Sequence, residues 1–512
     1  MAVQLTLAVF FTTVFLIFVS LLSPRKHKAL FKFFACPPPF YVWPVVGSLV
    51  LLASGTAYAQ LGDGKIVPQQ ILALFYALAY LCVSLDATGF LALLSLYLLN
   101  QSRGSSRRLF FITCFLSMAI TVTTSNDIVT LTLTPIILHA CKQAGLDPKP
   151  FIIISFFMSN SFSSILIIGN PTNIIVGQAM GLTFLDFFLK MALPALCGAL
   201  TTVLTLYLFF YADLKKPFVP PVMDLEGAIK DVVGARIQGL VLALTLVIFT
   251  VAQFIGVQLW LIALIGGLCS FAVDLARLPL WKSDITYDTL NEILPDEPSP
   301  SSPSSHCASA AFSISTLWAS FAQYLRDLNR KRGSRLMTRN EHLQVSKVPN
   351  VWSNICGLPL DLIPFLLGQF FLVEQLDKQG IIESFANWLV SSMGNMDVFA
   401  AGISMTLLTC FACSLLNNIP ATIVLTRVLL SDALTTAPSS FAQASMMGII
   451  IGSNFGACFT VIASLAGVMF FTIVQKFDPN ILTFAGFSKV GCLCVPWSCV
   501  IAGIVIGLEI AI

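Results

Sequence analysis

Apolar runs separated by short polar stretches fill the chain from end to end. The first opens the sequence, "MAVQLTLAVFFTTVFLIFVSLLSPRKHK". Others come at 41–60, 66–85, 150–180, 185–211, 237–255, 257–277, 355–376, 441–471 and 486–510. Several approach the roughly 20 residues that cross a bilayer, so each predicts a transmembrane helix. Two further runs, 109–141 and 398–434, are interrupted halfway by polar residues. The segment 278–350 is the one long polar region. Its tract "DEPSPSSPSSHCASA" lacks the apolar surface needed to fold. Its later part, "YLRDLNRKRGSRLMTR", reads as a solvated linker or as an amphipathic helix on the membrane surface.

Composition agrees with this pattern. The 512 residues are 57% hydrophobic and 10% charged, against about 25% charged in soluble chains. No basic-aromatic pattern suggests nucleic acid as a partner. The first run has no charge before it and a basic cluster, Arg25 to Lys32, after it. That is the reverse of a cleaved signal peptide and predicts a retained span with its N-terminus outside. The cysteines lie mostly within apolar runs and read as packing residues. The histidines His27, His139, His306 and His342 show no pairing. No metal, cofactor or enzymatic constellation is expected. Without a GxxxxGK[ST] loop, any ATP hydrolysis would belong to a partner ATPase.

The two halves repeat. "LCVSLDATGFLALLSLYL" resembles "FLVEQLDKQGIIESFANWL", and Asp86, Gly89 and Asn126 reappear 291 positions later as Asp377, Gly380 and Asn417. Basic residues come after Asp86 (Arg103, Arg107, Arg108), whereas an acidic excess comes after Asp377. By the positive-inside rule the equivalent segments face opposite sides. The expected fold is therefore an all-α polytopic membrane protein of two inverted repeats, each with five transmembrane helices and one re-entrant hairpin. The first repeat occupies 1–211. The second takes in 212–277 and 351–512, on either side of a cytoplasmic linker at 278–350.

Candidate chemistry sits at the interruptions. The hairpin tips read "TVTTSNDIVTLTLTP" and "CSLLNNIPATIVLT". Behind each hairpin comes a span with its own break, near 169–173 in "LIIGNPTNIIVG" and near 452–456 in "IIIGSNFGACFTVIAS". Broken helices free backbone groups that lipid cannot satisfy, so they survive only where protein or a wet cavity supplies partners. Four such breaks in matching order predict a small-solute site near mid-membrane, with the tips meeting from opposite faces. Asp127, at the deepest point of the first hairpin, is a candidate for ion coupling and equally a helix cap. Its expected counterpart is the neutral Asn418. Arg427 is expected to snorkel toward an interface.

The stretches "TTSNDIVTLTLTPIIL", "GNPTNIIVG", "LPLDLIPFLLGQFFLVEQL", "LLNNIPATIVL" and "GSNFGACFTVIASLAGVMF" resemble the arsenite/antimonite efflux branch of the ion transporter superfamily. That superfamily also holds citrate and dicarboxylate carriers, sodium/proton antiporters and silicic-acid exporters. The resemblance implies discontinuous helices, an elevator-type movement, a possible homodimer, and a substrate held between hairpin tips and unwound spans. Carried over, the substrate-binding set is Ser125, Asn126, Gly169, Asn170, Pro171, Thr172, Asn173, Asn417, Asn418, Pro420, Thr422, Gly452, Ser453 and Asn454, with Asp127 coupling to a proton or sodium. The tips depart from the Ser-Asn-Thr of dicarboxylate carriers, and Leu416 stands where a serine would be. The reading is secondary active transport of a small inorganic oxyacid, with proton-coupled arsenite efflux as the named expectation. Sodium/proton exchange, citrate or silicic-acid transport and a channel are the alternatives. A plasma membrane and a vacuolar-type membrane fit equally.

Overall fold

The structure, a computed structural model, describes residues 2–22, 39–57, 66–100, 102, 104–218, 230–282 and 351–512. The basic cluster after the first span and the central linker beyond Lys282 lie outside them. The larger of the chain's two compact units comprises 1–275 with 349–512. Among the described residues there are twenty α-helices. Nine candidate spans are long and apolar enough to cross a membrane, and the protein is an integral, multi-pass membrane protein.

The first half runs α1 (Ala2–Leu22), α2 (Val42–Ala53), α3 (Pro68–Ala87), α4 (Phe90–Asn100), α5 (Ser106–Thr123), α6 (Asn126–Gln143), α7 (Lys149–Ser163), α8 (Pro171–Ala179) and α9 (Phe184–Phe209). The second runs α10 (Val232–Ile255), α11 (Leu259–Lys282), α12 (Val351–Gly357), α13 (Leu362–Lys378), α14 (Ile381–Met393), α15 (Val398–Leu416), α16 (Asn418–Leu429), α17 (Asp432–Thr435), α18 (Ser439–Gly456), α19 (Leu465–Phe477) and α20 (Phe484–Ala511). The interrupted runs are helix pairs, α5–α6 and α15–α16. The apparent single spans at 150–180 and 441–471 are also pairs, α7–α8 and α18–α19, each broken around a 3₁₀ turn, at Ile167–Gly169 and Val461–Ala463.

Helix starts fix the register between halves better than sequence does. The offset is 291 at Gly89 and Gly380, both left-handed. It becomes 292 at the starts of α5 and α15 and of α6 and α16, 294 at the two 3₁₀ turns, and 300 at α9 and α20. Small insertions thus accumulate along the second half. The spatial pairing crosses over: Gly368 of α13 lies against Pro44 and Val45 of α2, while Gly267 of α11 lies against Ala77 of α3, the residue equivalent to Gly368. Each half's second helix therefore packs on the other half's third span.

The core is apolar and shared. Phe156 on α7 stacks on Phe470 of α19 at 4.7 Å and meets Phe487 of α20 edge-on at 5.7 Å. The outer face of α9 is a stripe of exposed leucines, Leu189, Leu193, Leu196, Leu200, Leu204 and Leu208. Their spacing of three and four puts them on one face of the helix, the one that lipid would cover. One buried polar cluster links four helices. Asp274 on α11 accepts hydrogen bonds from Tyr80 and Ser84 of α3, Gln238 of α10 and Asn354 of α12, at 2.8–3.0 Å.

Candidate functional site

The four breaks differ in how their backbone is satisfied. At the first tip, α6 starts at Asn126, and its N-cap Ser125 makes no capping hydrogen bond, so the first amides of α6 are left to a partner from outside. At the second tip the turn is made by Asn417, with φ 71 and ψ 153, a conformation that costs a non-glycine residue on the order of 1–3 kcal/mol. Its fully buried amide holds it there: Nδ2 donates to the Ile462 carbonyl at 3.0 Å, and Oδ1 accepts a long bond from the Ile419 N–H.

The broken spans are closed by their own residues. Asn170 caps α8 by accepting from the Thr172 N–H at 3.2 Å, and Ser464 caps α19 through the Gly467 N–H at 2.9 Å. Asn173 donates to the Ser163 and Leu166 carbonyls, at 2.7 and 2.8 Å, which the break strips of helical partners. Gly169 is required because a Cβ there would lie 2.2 Å from the Ser163 carbonyl oxygen. Pro171 opens α8, where its missing N–H is harmless.

A polar cluster across the two halves centres on one residue. Asn454 of α18 accepts from Ser163 Oγ at 2.7 Å and Asn170 Nδ2 at 2.9 Å. Its own Nδ2 donates to Asn173 Oδ1 at 2.7 Å and to the Ile450 carbonyl. Ser453 donates to Thr172 Oγ1 at 3.4 Å. Asn170, Asn173 and Asn454 thus bond through both ends of their amides.

Three expectations need correction. Gly452, Ser453 and Asn454 do not belong to an unwound segment; they lie inside α18, and the break falls at 457–464. The glycines serve packing instead. Gly448, Gly452 and Gly456 recur every fourth residue against α15, where a Cβ on Gly452 would lie 2.5 Å from the Thr406 carbonyl oxygen. This is the small-residue stripe that lets membrane helices approach closely. The counterpart of Ser453–Asn454 is Ser159–Asn160 of α7, 294 positions earlier, a pair that passes for ordinary apolar helix in the sequence.

Second, Asn126 matches Asn418 and not Asn417. Both begin a helix, and both have a threonine four residues on (Thr130, Thr422) whose hydroxyl donates to their carbonyl. One extra residue before the second tip shifts the register, so Asp127 answers to Ile419. Asp127 is half-buried, with no hydrogen bond or ion pair among the described residues. Pro420 and Thr422 are buried in the first turns of α16.

Third, Arg427 does not snorkel. It is 3% exposed and pairs with Glu374 of α13, equally buried, and with Asp377 at 3.6 Å, while Lys378 reaches Glu374 at 3.4 Å. The first half answers, among the described residues, with a bond from Thr132 Oγ1 to Asp86 at 3.1 Å. Glu374 is absent from the residues expected to matter, though a carboxylate inside a span is itself a signal.

Six buried amide oxygens lack a hydrogen-bond partner among the described residues, and two of them, on Asn126 and Asn418, stand at the tips. Asn126 is 2% exposed and Asn418 3%, and neither Oδ1 has a hydrogen-bond partner among the described residues. Asn126 Nδ2 donates to Asn160 Oδ1 at 3.0 Å. Equivalent by register, the two carbonyls are acceptors at the starts of α6 and α16.

Residues 1–281 match the citrate transporter family, CitMHS. The chain belongs to that family. Residues 343–511 match the arsenical pump membrane protein family, so citrate transporter and arsenical pump sequences describe the two halves of one chain. Among curated proteins, an arsenical pump membrane protein of Escherichia coli is 24% identical over 458 residues, covering 87% of this chain and 88% of its own. A putative arsenical pump membrane protein of Bacillus subtilis is 22% identical and covers 88% and 89%. The crystal structure of the Alcanivorax borkumensis YdaH transporter aligns over 100% of this chain and 98% of its own, at 14% identity and a TM-score of 0.45. As a member of the citrate transporter family, the protein is a membrane transporter. Its relatives are named for transport and not for catalysis.

Proposed function

We propose that this protein is a secondary active transporter that exports trivalent arsenite or antimonite as the uncharged hydroxide. The observation that carries this reading is the pair of buried, unpartnered carbonyls of Asn126 and Asn418. Each is an acceptor in need of a donor, and a buried acceptor without one costs about 1–3 kcal/mol. A hydroxyl can donate to them while accepting from the uncapped amides of α6. An ionised carboxylate has lone pairs only and would face those carbonyls unfavourably. No cationic side chain adjoins either tip among the described hydrogen bonds and ion pairs. The names of the full-length relatives support the same substrate class.

In this reading the tips approach from opposite faces and Ser125, Asn126, Asn417 and Asn418 contact the solute, while Asn170, Asn173 and Asn454 hold the broken spans together. Asp127, without a protein partner, takes up a proton on one side and gives it up on the other, and export results from differential binding in the two orientations. Citrate-type anion transport is the second reading, favoured by the match of residues 1–281 and by four helix N-termini opening at the breaks, each with a partial positive charge.

Proteoliposomes test both. Arsenite flux should saturate and track an imposed proton gradient, and Asp127→Asn should abolish that gradient dependence in folded protein. Asn126→Ala and Asn418→Ala should each weaken arsenite affinity about tenfold or more, the loss of one good hydrogen bond. Saturable citrate flux that arsenite does not compete with would overturn the arsenite reading.

A further inference from the structure

We propose that Asn160, on α7, is a specificity-determining residue: it fixes which end of the Asn126 amide faces the site, and so selects solutes that donate hydrogen bonds over anions that only accept them. The inference rests on the proposed role of the tips and adds a residue that does not itself contact the solute.

An asparagine amide can turn over, presenting either its carbonyl or its NH2. At the first tip that choice is made by a chain of bonds. Asn160 is fully buried, and its Nδ2 donates to the Phe156 carbonyl four residues back in α7, at 2.9 Å. Turning it over would set carbonyl against carbonyl. Its Oδ1 therefore faces Asn126, which must offer Nδ2, at 3.0 Å. The Asn126 carbonyl is left pointing away, unpartnered. A helix carbonyl thus sets the sense of a site residue through two amides. Without the acceptor at 160, Asn126 is free to turn and present NH2, the end that suits a carboxylate.

The counterpart in the second half cannot act this way. Asn454 makes the same bond to the carbonyl four residues back, Ile450, but its Oδ1 is taken by Ser163 and Asn170. The equivalents of Asn170 and Asn173 by register are Ser464 and Gly467, neither of which carries an amide to occupy Asn160 Oδ1.

The test uses purified full-length protein in detergent and two probes, arsenite and citrate, with affinities from ligand-dependent shifts in unfolding temperature. Asn160→Thr and Asn160→Val have the same shape. The threonine hydroxyl donates to the Phe156 carbonyl, as helix threonines do, and still offers a lone pair to Asn126; valine offers none. The expected result is a wild-type preference for arsenite that Thr retains and Val reduces about tenfold or more, chiefly through weaker arsenite binding and unchanged or stronger citrate binding. If Val does not fold, Asn160→Leu, closer to asparagine in shape, replaces it. An arsenite-to-citrate ratio equal in Thr and Val, or equal loss of both ligands in Val, would overturn the role of Asn160 while leaving the tip reading intact. Wild-type protein that binds citrate and not arsenite would overturn the tip reading, and this inference with it.

Discussion

The two halves share a backbone plan but not its polar wiring. In the first half the hairpin helix α6 is tied to α3 by one hydroxyl, Thr132 on Asp86, and its tip leans on Asn160. In the second half α16 is tied to α13 by the buried Glu374–Arg427 pair with Asp377, and Asn454 is spent on holding the first half's broken span. The difference teaches that a duplicated fold can divide labour. One copy of an equivalent asparagine orients a site residue; the other clasps the halves together.

The largest expected effect comes from the charge pair. Glu374→Ala takes from Arg427, 3% exposed, the carboxylate buried against it. It should destabilise the protein by about 3–5 kcal/mol, measured by unfolding in detergent. A loss below about 1 kcal/mol would show that the second hairpin is not anchored there. Asn454→Leu comes next. It strips partners from Ser163, Asn170 and Asn173, and should cost about 2–3 kcal/mol with the arsenite-to-citrate ratio unchanged. A changed ratio with intact stability would reverse the roles assigned to Asn454 and Asn160. Smallest is Thr132→Val, which removes one bond to a carboxylate and should cost about 1.5 kcal/mol. A loss matching that of Glu374→Ala would erase the contrast between the hairpins.

Much of this architecture is legible in the sequence. Apolar runs mark the spans, interruptions mark the helix pairs, and the matched Gly89 and Gly380 both prove left-handed. What fails does so for physical reasons. A glycine that loosens a helix and one that lets a neighbour close in look alike in sequence, so Gly452 and Gly456 read as unwinding when α15 needs their missing Cβ atoms. A single inserted residue between Asp377 and the second tip moves the partner of Asn126 from Asn417 to Asn418, because a fixed offset cannot track it. Ser159–Asn160 sits in a plain apolar helix, and only its likeness to Ser453–Asn454 draws attention to it. Arg427 stands out in the sequence without a partner, though Glu374, with no place in lipid alone, offers itself as one.

The knot at Asp274 bears on the chain's long central excursion. Asn354 reaches back to that carboxylate at 2.9 Å, while Tyr80, Ser84 and Gln238 grip it from α3 and α10. The polypeptide thus departs and comes home through one fastening, which pins α3, α10, α11 and α12 at a single carboxylate. Two co-expressed fragments severed within 283–350 would still find each other at that fastening.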